Sequence, residues 1–466
     1  MGGFFGVVSK KDCVDDLFYG TDYHSHLGTR RGGLAVRESQ GFSRCIHDIS
    51  NAQFRSKFES DITRLHGSMG IGVISDYEDQ PLIIGSHLGP YAIVTVGKIL
   101  NTEEMVRAAF KKRTTHFSEM SCGEINPTEL VATIVNQGAT FEEGLHMAQE
   151  AVQGSCSILL LTEKGIYAAR DRFGRTPVVL GSKPGSLAMT METCALPNLG
   201  YAVKHYLGPG EIILATPDGF TQLKKPGKRL QVCAFLWVYY GYPASSYENI
   251  NVEQCRYRCG ACLAKRHNVK VDFVSGIPDS GTGHALGYAT ATGLPYCRPF
   301  VKYTPTWPRS FMPPDQAVRD LVATMKLIPI QDIIHGKRLL FCEDSIVRGT
   351  QLKDTIKRLF ENGAKEVHMR PACPPLLFGC KFLNFSRSKS EADLAARRAI
   401  WEMEGAGERD LRPYCKENSP LYDAMIERIR YRMGLTTLVY QKLDDLIEAI
   451  GLPREKLCTY CWTGKE

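Results

Sequence analysis

The sequence predicts two domains of different architecture: a mixed α+β first half and an α/β second half built on a parallel sheet. Three observations carry this expectation. The chain has 466 residues, too many for one ordinary core, so two domains of roughly 200 residues each are expected. Up to residue 231, short β-branched runs bounded by turn residues interleave with helical stretches. From residue 232 the chain repeats strand, loop and helix, the pattern of a parallel sheet covered by helices.

Taken in order, "MGGFFGVVSKK" reads as a first strand, small and apolar, with a glycine at Gly6. "GPYAIVTVGKI", "SCSILLLTEKGIYAARD" and "TPVVLGS" read as strands, and "EEGLHMAQEAVQ" has helical spacing. "PGEIILATPDGFTQLKKPGK" alternates and then breaks at Pro226 and Gly227, which sets the boundary between domains 1–231 and 232–466. Beyond it come "VKVDFVSGIPDSGTGHALGYATATG" and "GKRLLFCEDSIVRGTQLKDTIKRLFENGAKEVHMRPACPP". The charged stretch 390–441 reads as a solvated helical surface. No repeat or low-complexity tract interrupts the chain.

Hydrophobic residues at 43% and charged residues at 23% are ordinary for a globular protein. No apolar run approaches the ~20 residues that span a bilayer, and no basic segment leads into an apolar one at the start, so a cytoplasmic protein is expected. A net charge of +7 without a basic block gives no reason to expect nucleic acid; local basic clusters suit a phosphorylated small molecule. Sixteen cysteines in such a chain point to metal binding more than to disulfides.

"LLFCEDSIVRGTQL" carries the most chemistry. A buried strand ending at Cys342 delivers the adjacent carboxylates Glu343 and Asp344 to its C-terminal end. A loop of Ser345, Ile346, Val347, Arg348, Gly349 and Thr350 follows, then a helix from about Gln351. Strand ends of this kind are where open α/β sheets bind ligands. Loop amides together with a helix N-terminus form an anion site suited to a phosphate. The carboxylates suit a ribose diol or a magnesium ion. As bare spacing, the Asp-Ser pair equally fits a helix N-cap.

The string resembles the phosphoribosyl diphosphate (PRPP) motif of the type I phosphoribosyltransferases, with Glu343 where Asp is commoner. "GIPDSG" at 276–281 resembles the pyrophosphate-side loop of that family, implying PRPP contacts from Asp279, Ser280 and Gly281. "VKYTPTWPRSFM" at 301–312 resembles its flexible catalytic loop, with Pro308 and Ser310 where relatives have Gly and Thr. The whole chain resembles the glutamine PRPP amidotransferase family through "MGIG" at 69–72, "RDRFGRTPVVLG" at 170–181, "ETCAL" at 192–196, "PDSG", "GKR" and "EDSIVRGT".

That resemblance implies an N-terminal-nucleophile αββα glutaminase domain followed by a type I phosphoribosyltransferase domain. It implies magnesium held by Glu343, Asp344 and Ser310, and a site closed by Lys302, Tyr303 and Arg309. PRPP and ammonia would be substrates, purine nucleotides inhibitors, and the assembly a homo-oligomer.

The C-x2-C pair of "KLCTYCWTG" is by itself ambiguous among zinc, redox and iron–sulfur use. One branch of the family holds a [4Fe–4S] cluster, and by resemblance its ligands fall on Cys233, Cys380, Cys458 and Cys461. "CRYRCGAC" has the C-x3-C-x2-C spacing of radical-SAM enzymes, but Cys255, Cys259 and Cys262 also fall on one helical face, as buried apolar residues do.

In the first half the resemblance shows departures. The family's N-terminal cysteine falls at Gly2, which has no side chain to attack an amide. Cys13 lies behind the strand that should follow a nucleophile, and "VDDLFYG" after it resembles the family's first helix. The run that grips the glutamine carboxylate appears as Ser75, Asp76, Tyr77 and Glu78. The oxyanion-hole Asn-Gly appears as Val96 and Gly97, and the amine grip as Pro127, Thr128 and Glu129. Two readings follow: an amidophosphoribosyltransferase homologue using ammonia with glutamine hydrolysis lost, or a non-catalytic PRPP-binding regulator of an active paralogue.

Overall fold

The structure is a computed structural model describing residues 2–111, 117–121, 123–303, 327–383, 391–405, 407 and 409–466. In the first half, a seven-stranded antiparallel sheet runs in the order Ala202–Tyr206, Val179–Lys183, Ser186–Thr190, Gly3–Ser9, Met69–Ser75, Arg31–Glu38, Gly41–Asp48. A six-stranded antiparallel sheet packs on it, in the order Gly219–Lys224, Ile212–Thr216, Ile166–Ala169, Gly154–Leu161, Tyr91–Ile99, Leu82–Ile84.

Side chains alternate across a strand, and Gly3–Ser9 shows the result. Phe4 and Val8 face the space between the sheets with Ile71, Val94 and Leu159. Phe5 and Val7 face outward, under helices Val14–Asp22 and Phe54–Ile62. Helices Pro127–Val135 and Phe141–Ala151 cover the outer face of the second sheet through Val131 and Leu145. The layers are therefore αββα. Burying each such Phe or Val contributes about 1.5–3 kcal/mol.

The second half centres on a parallel sheet in the order Phe273–Gly276, Arg338–Glu343, Glu366–Pro371, Thr437–Leu438. One face buries Val274, Leu340 and Cys342 beneath helices Val252–Ala264 and Gly281–Thr292. Those helices cross closely because two glycines leave room. A Cβ on Gly260 would sit 1.9 Å from the His284 carbonyl oxygen, and one on Gly287 2.0 Å from that of Tyr257. The other face buries Leu339, Phe341, Val367 and Met369 under helix Thr350–Glu361 and its neighbours. The C-terminal Leu457–Cys458 returns to pair in parallel with Val232–Cys233.

Two details differ from the expectations above. "SCSILLLTEKGIYAARD" is a hairpin of two strands, because Thr162 donates its hydroxyl to the Gly165 carbonyl and accepts the Lys164 amide, closing a turn. The 390–441 stretch is not merely solvated. Its helices Ala395–Glu404 and Pro420–Met433 bury Ala399, Ile400, Met425 and Ile429, an apolar face hidden in sequence among Arg and Glu. Among the described residues no helix is long and apolar enough to cross a membrane.

The halves are joined by buried polar contacts. Arg170 Nη2 lies 2.6 Å from Glu248 Oε1. Glu192 accepts from Tyr247 Oη at 2.7 Å and from the Ser245 hydroxyl.

Candidate active site

Strand Arg338–Glu343 lies inside the parallel sheet, and its C-terminal end presents Glu343 and Asp344, both under 10% exposed. Asp344 accepts from two hydroxyls at 2.5 Å: Ser345 at Oδ1 and, from the preceding strand's loop, Ser280 at Oδ2. Its own amide donates to Glu343 Oε1 at 3.0 Å. Burial first, and the charge of Asp344 second, push the Glu343 carboxyl well above the ordinary carboxylate range. That is the electrostatic condition a divalent cation relieves, so this pair fits magnesium.

The loop at 276–281 lies flat on this strand end. A Cβ on Gly281 would approach the Cys342 carbonyl oxygen to 2.5 Å, so helix Gly281–Thr292 starts in backbone contact with the carboxylate strand. Within the loop, Asp279 pairs with Lys302 from strand Phe300–Lys302. Next to it, Tyr303 is 38% exposed. Arg309 and Ser310 lie outside the described residues.

Past Asp344, Ile346 turns into the core and Val347 packs against the opposite apolar cluster, so these two offer a ligand their backbone rather than their side chains. The Val347 carbonyl is fixed by the Ala395 amide at 2.7 Å. Arg348 lies 3.7 Å from Asp393. Gly349 has φ +75° and precedes helix Thr350–Glu361, whose first amides lack intrahelical partners by construction. Asp279, Ser280, Gly281, Lys302, Glu343, Asp344 and the loop from Ser345 to Thr350 therefore converge on one strand end.

Sequence reasoning missed Arg256 behind this site. Buried in helix Val252–Ala264, it donates to the carbonyls of Trp237, Tyr239 and Gly241 at 3.0–3.1 Å. Burial lowers its pKa, and the nearby Asp344 charge opposes that shift. No motif marked it. The same helix carries Cys255, Cys259 and Cys262 as buried core residues; the Cys259 thiol donates to the Ala372 carbonyl at 3.2 Å.

Cys233, Cys380, Cys458 and Cys461 come together at the foot of the second half. Cys233 and Cys458 are register partners in the parallel ladder. The Cys461 carbonyl accepts the amides of Leu377 and Phe378, each at 3.1 Å, holding that segment against helix Tyr460–Thr463. The Cys461 thiol donates to Cys380, which brings Cys380 down to about 7. Burial drives Cys233 well up, with Cys458 and Cys380 adding to it. All four are free thiols. Among the described residues no three His, Cys, Asp or Glu side chains close around a point as a single metal ion requires.

The comparisons with known proteins agree over the full chain. A family profile described as a glutamine amidotransferase domain matches residues 66–198. The amidophosphoribosyltransferase of Methanocaldococcus jannaschii is 28% identical, covering 100% of this chain and 97% of its own. That of Synechococcus elongatus is 29% identical, covering 99% and 90%. The solved glutamine PRPP amidotransferase of Bacillus subtilis, complexed with ADP and GMP, superposes with a TM-score of 0.85 at 25% identity over 99% of this chain and 96% of that one. Over its full length the chain is similar to amidophosphoribosyltransferases.

In the first half, the positions that the resemblance sets at a glutamine site are packed against or hydrogen-bonded to their own chain. A Cβ on Gly2 would lie 2.4 Å from the Ile74 carbonyl oxygen, and one on Gly3 2.6 Å from the His24 ring. His24 is wholly buried, donating from Nδ1 to the Gly20 carbonyl and accepting the Glu192 amide at Nε2; burial lowers it to about 4. Ser75 donates to Glu78 at 2.7 Å, and Asp76 accepts the amide and hydroxyl of Thr29. A Cβ on Gly97 would strike the Ser155 carbonyl oxygen at 2.0 Å. Thr128 shares a hydrogen bond with Thr95, and Glu129 accepts the amides of Ser118 and Glu119 at 2.8 and 2.9 Å. Cys13 is a buried core residue whose thiol burial raises far above its ordinary value.

Proposed function

We propose that the second half, residues 232–466, is a PRPP-dependent transferase that forms 5-phosphoribosylamine with ammonia, and that the first half, residues 1–231, no longer hydrolyses glutamine. The observation that carries this is the contrast between positions 344 and 2. Asp344 gathers hydroxyls from two loops at the C-terminal end of its strand, whereas a side chain at position 2 would strike backbone.

In the proposed reaction, the nitrogen lone pair of ammonia forms a bond to the anomeric carbon as the bond from that carbon to pyrophosphate breaks; ammonia's surplus proton leaves to solvent. Charge develops on the departing pyrophosphate and the sugar ring, so the protein's task is electrostatic. Lys302 and the 279–281 amides bind the pyrophosphate side, with Tyr303 and Arg309 closing over it. The loop from Ser345 to Thr350 and the helix N-terminus behind it hold the 5′-phosphate. Glu343 and Asp344, with Ser310, hold magnesium, which supplies Lewis-acid neutralisation of the leaving group.

The four cysteines hold a [4Fe–4S] cluster that ties the chain end to the start of the second half. A buried Arg175, whose Nε has no partner among the described residues, lies beside Cys458, as a cation facing thiolates would. A four-iron cluster also spreads its ligands more widely than a single ion, in keeping with the loose spacing of the thiols. The ADP and GMP complex of the B. subtilis relative supports purine nucleotides as ligands of this chain; that they would compete at the PRPP site is part of the proposal.

Pyrophosphate release from PRPP and magnesium tests the proposal. Turnover with ammonium and none with glutamine is the expected result. Turnover with glutamine overturns the loss of the glutaminase; tight PRPP binding without turnover replaces the transferase with a PRPP-binding regulator.

A further inference from the structure

We propose that Lys98 and Arg175, both carried by the half that lacks a nucleophile, form a cationic wall for the four-cysteine site, so that housing the cluster is a retained task of the glutaminase-like half. This rests on the iron–sulfur reading above.

Arg175 follows the "RDRFG" turn and is only 4% exposed. Its Nη1 donates to the Gly154 carbonyl at 2.9 Å, and its guanidinium lies 3.7 Å from the centre of the Phe382 ring, two residues beyond Cys380. The Arg175 carbonyl accepts the Cys233 amide at 3.1 Å, so one residue both fixes the backbone of one cysteine and sets a charge beside another, Cys458. Among the described residues no carboxylate pairs with Arg175, and its Nε has no acceptor. A buried cation without an anion is costly, and buried charges in native proteins are paired or bind metals. The anions available to it are the thiolates.

Lys98 reaches the same site from the end of strand Tyr91–Ile99. Its Nζ donates to the Cys380 carbonyl at 3.3 Å. Lys381, by contrast, is turned to Glu466 at 3.1 Å and is neutralised there. Four thiolates around a [4Fe–4S] core in its resting state form a dianion. Two cations from the first half match that charge. They also explain why that half persists, folded against the second, with its glutamine positions closed.

The test uses the full chain, reconstituted anaerobically with iron and sulfide, comparing wild type with Lys98→Met, Arg175→Met and Arg175→Lys. Iron content, visible absorbance, the rate of bleaching in air and the midpoint potential by EPR titration are read, with circular dichroism as the check on folding. The expected result is a more negative potential and several-fold faster bleaching in both Met variants, with Arg175→Lys restored toward wild type. Lys98 keeps the test informative if Arg175→Met misfolds, since Lys98 packs no core. A colourless wild-type protein overturns the iron–sulfur reading itself. A brown wild type whose Lys98→Met and Arg175→Met forms match it in iron content, potential and bleaching overturns the cationic wall alone.

Discussion

At the start of strand Gly3–Ser9 the fold has turned the polar groups inward. Ser75 is given to Glu78, Asp76 to Thr29 and Glu129 to two loop amides, while a Cβ at position 2 would meet backbone. At the end of strand Arg338–Glu343 the same kinds of residue are held in an arrangement the fold alone does not relax, with Glu343 buried against a second carboxylate. A polar group already satisfied by its own chain has little left for a substrate, whereas a group held at a cost to stability marks a site kept for a ligand. Burial raises the Glu78 carboxyl in the first half too, but there the Ser75 hydroxyl and its own amide offset the shift, whereas at Glu343 the Asp344 charge adds to burial.

The comparison breaks most plainly at Asp344. Replacing it with Asn is expected to lower ammonium-dependent pyrophosphate release at least about a hundredfold, the scale of losing a metal or transition-state contact. Asp76→Asn in the first half leaves that rate unchanged. Equal losses from both, in a coupled pyrophosphate assay, would mean the first half takes part in the chemistry.

Gly2→Cys places a thiol where the proposed loss of the glutaminase has none, in name only. The added Cβ must displace the Ile74 carbonyl, so glutamate release from glutamine stays at background and the urea midpoint falls, by about 1–3 kcal/mol of stability as for other overpacked sites. A variant that hydrolyses glutamine would show the pocket to be dormant rather than closed.

Glu343→Gln sharpens the contrast from the other side. The folded-state pKa of Glu343 is raised, chiefly by burial, so the native state holds a proton that the unfolded chain releases. This group therefore costs stability as pH rises from the ordinary carboxylate range toward the folded value. Without ligands the Gln variant is expected to melt a few degrees above wild type at pH 8, with the gap closing near pH 4.5. Magnesium and PRPP reverse the order. A variant less stable at both pH values would make Glu343 a structural residue.

Much of this was legible in the sequence because motif and fold coincide there. The run through Glu343 and Asp344 is a strand, a loop and a helix in that order, and local chemistry dictates each. The αββα layers entered through resemblance, since strands such as Tyr91–Ile99 are apolar on both faces and periodicity alone does not say what covers them. Arg256, Arg175 and Lys98 were invisible because their significance lies in partners far along the chain. Arg175 meets Phe382 and Cys458, and no local pattern announces such contacts.

One property should not distinguish the halves. His24 in the first is lowered to about 4 and His284 in the second to about 3, each by burial. A histidine held neutral in the fold binds fewer protons than in the unfolded chain, so its contribution is fully present above pH 6.5 and is lost as pH falls from there toward the folded value. Each contributes a slope approaching about 1.4 kcal/mol per pH unit within that window. Urea midpoints measured from pH 7 to pH 4 should fall for the wild type, and His24→Gln and His284→Gln should each flatten the fall by a similar amount while costing some stability at pH 7. Should only His284→Gln flatten it, the first half does not unfold with the second. The first half would then be a separately unfolding remnant rather than a working part of the proposed cluster housing.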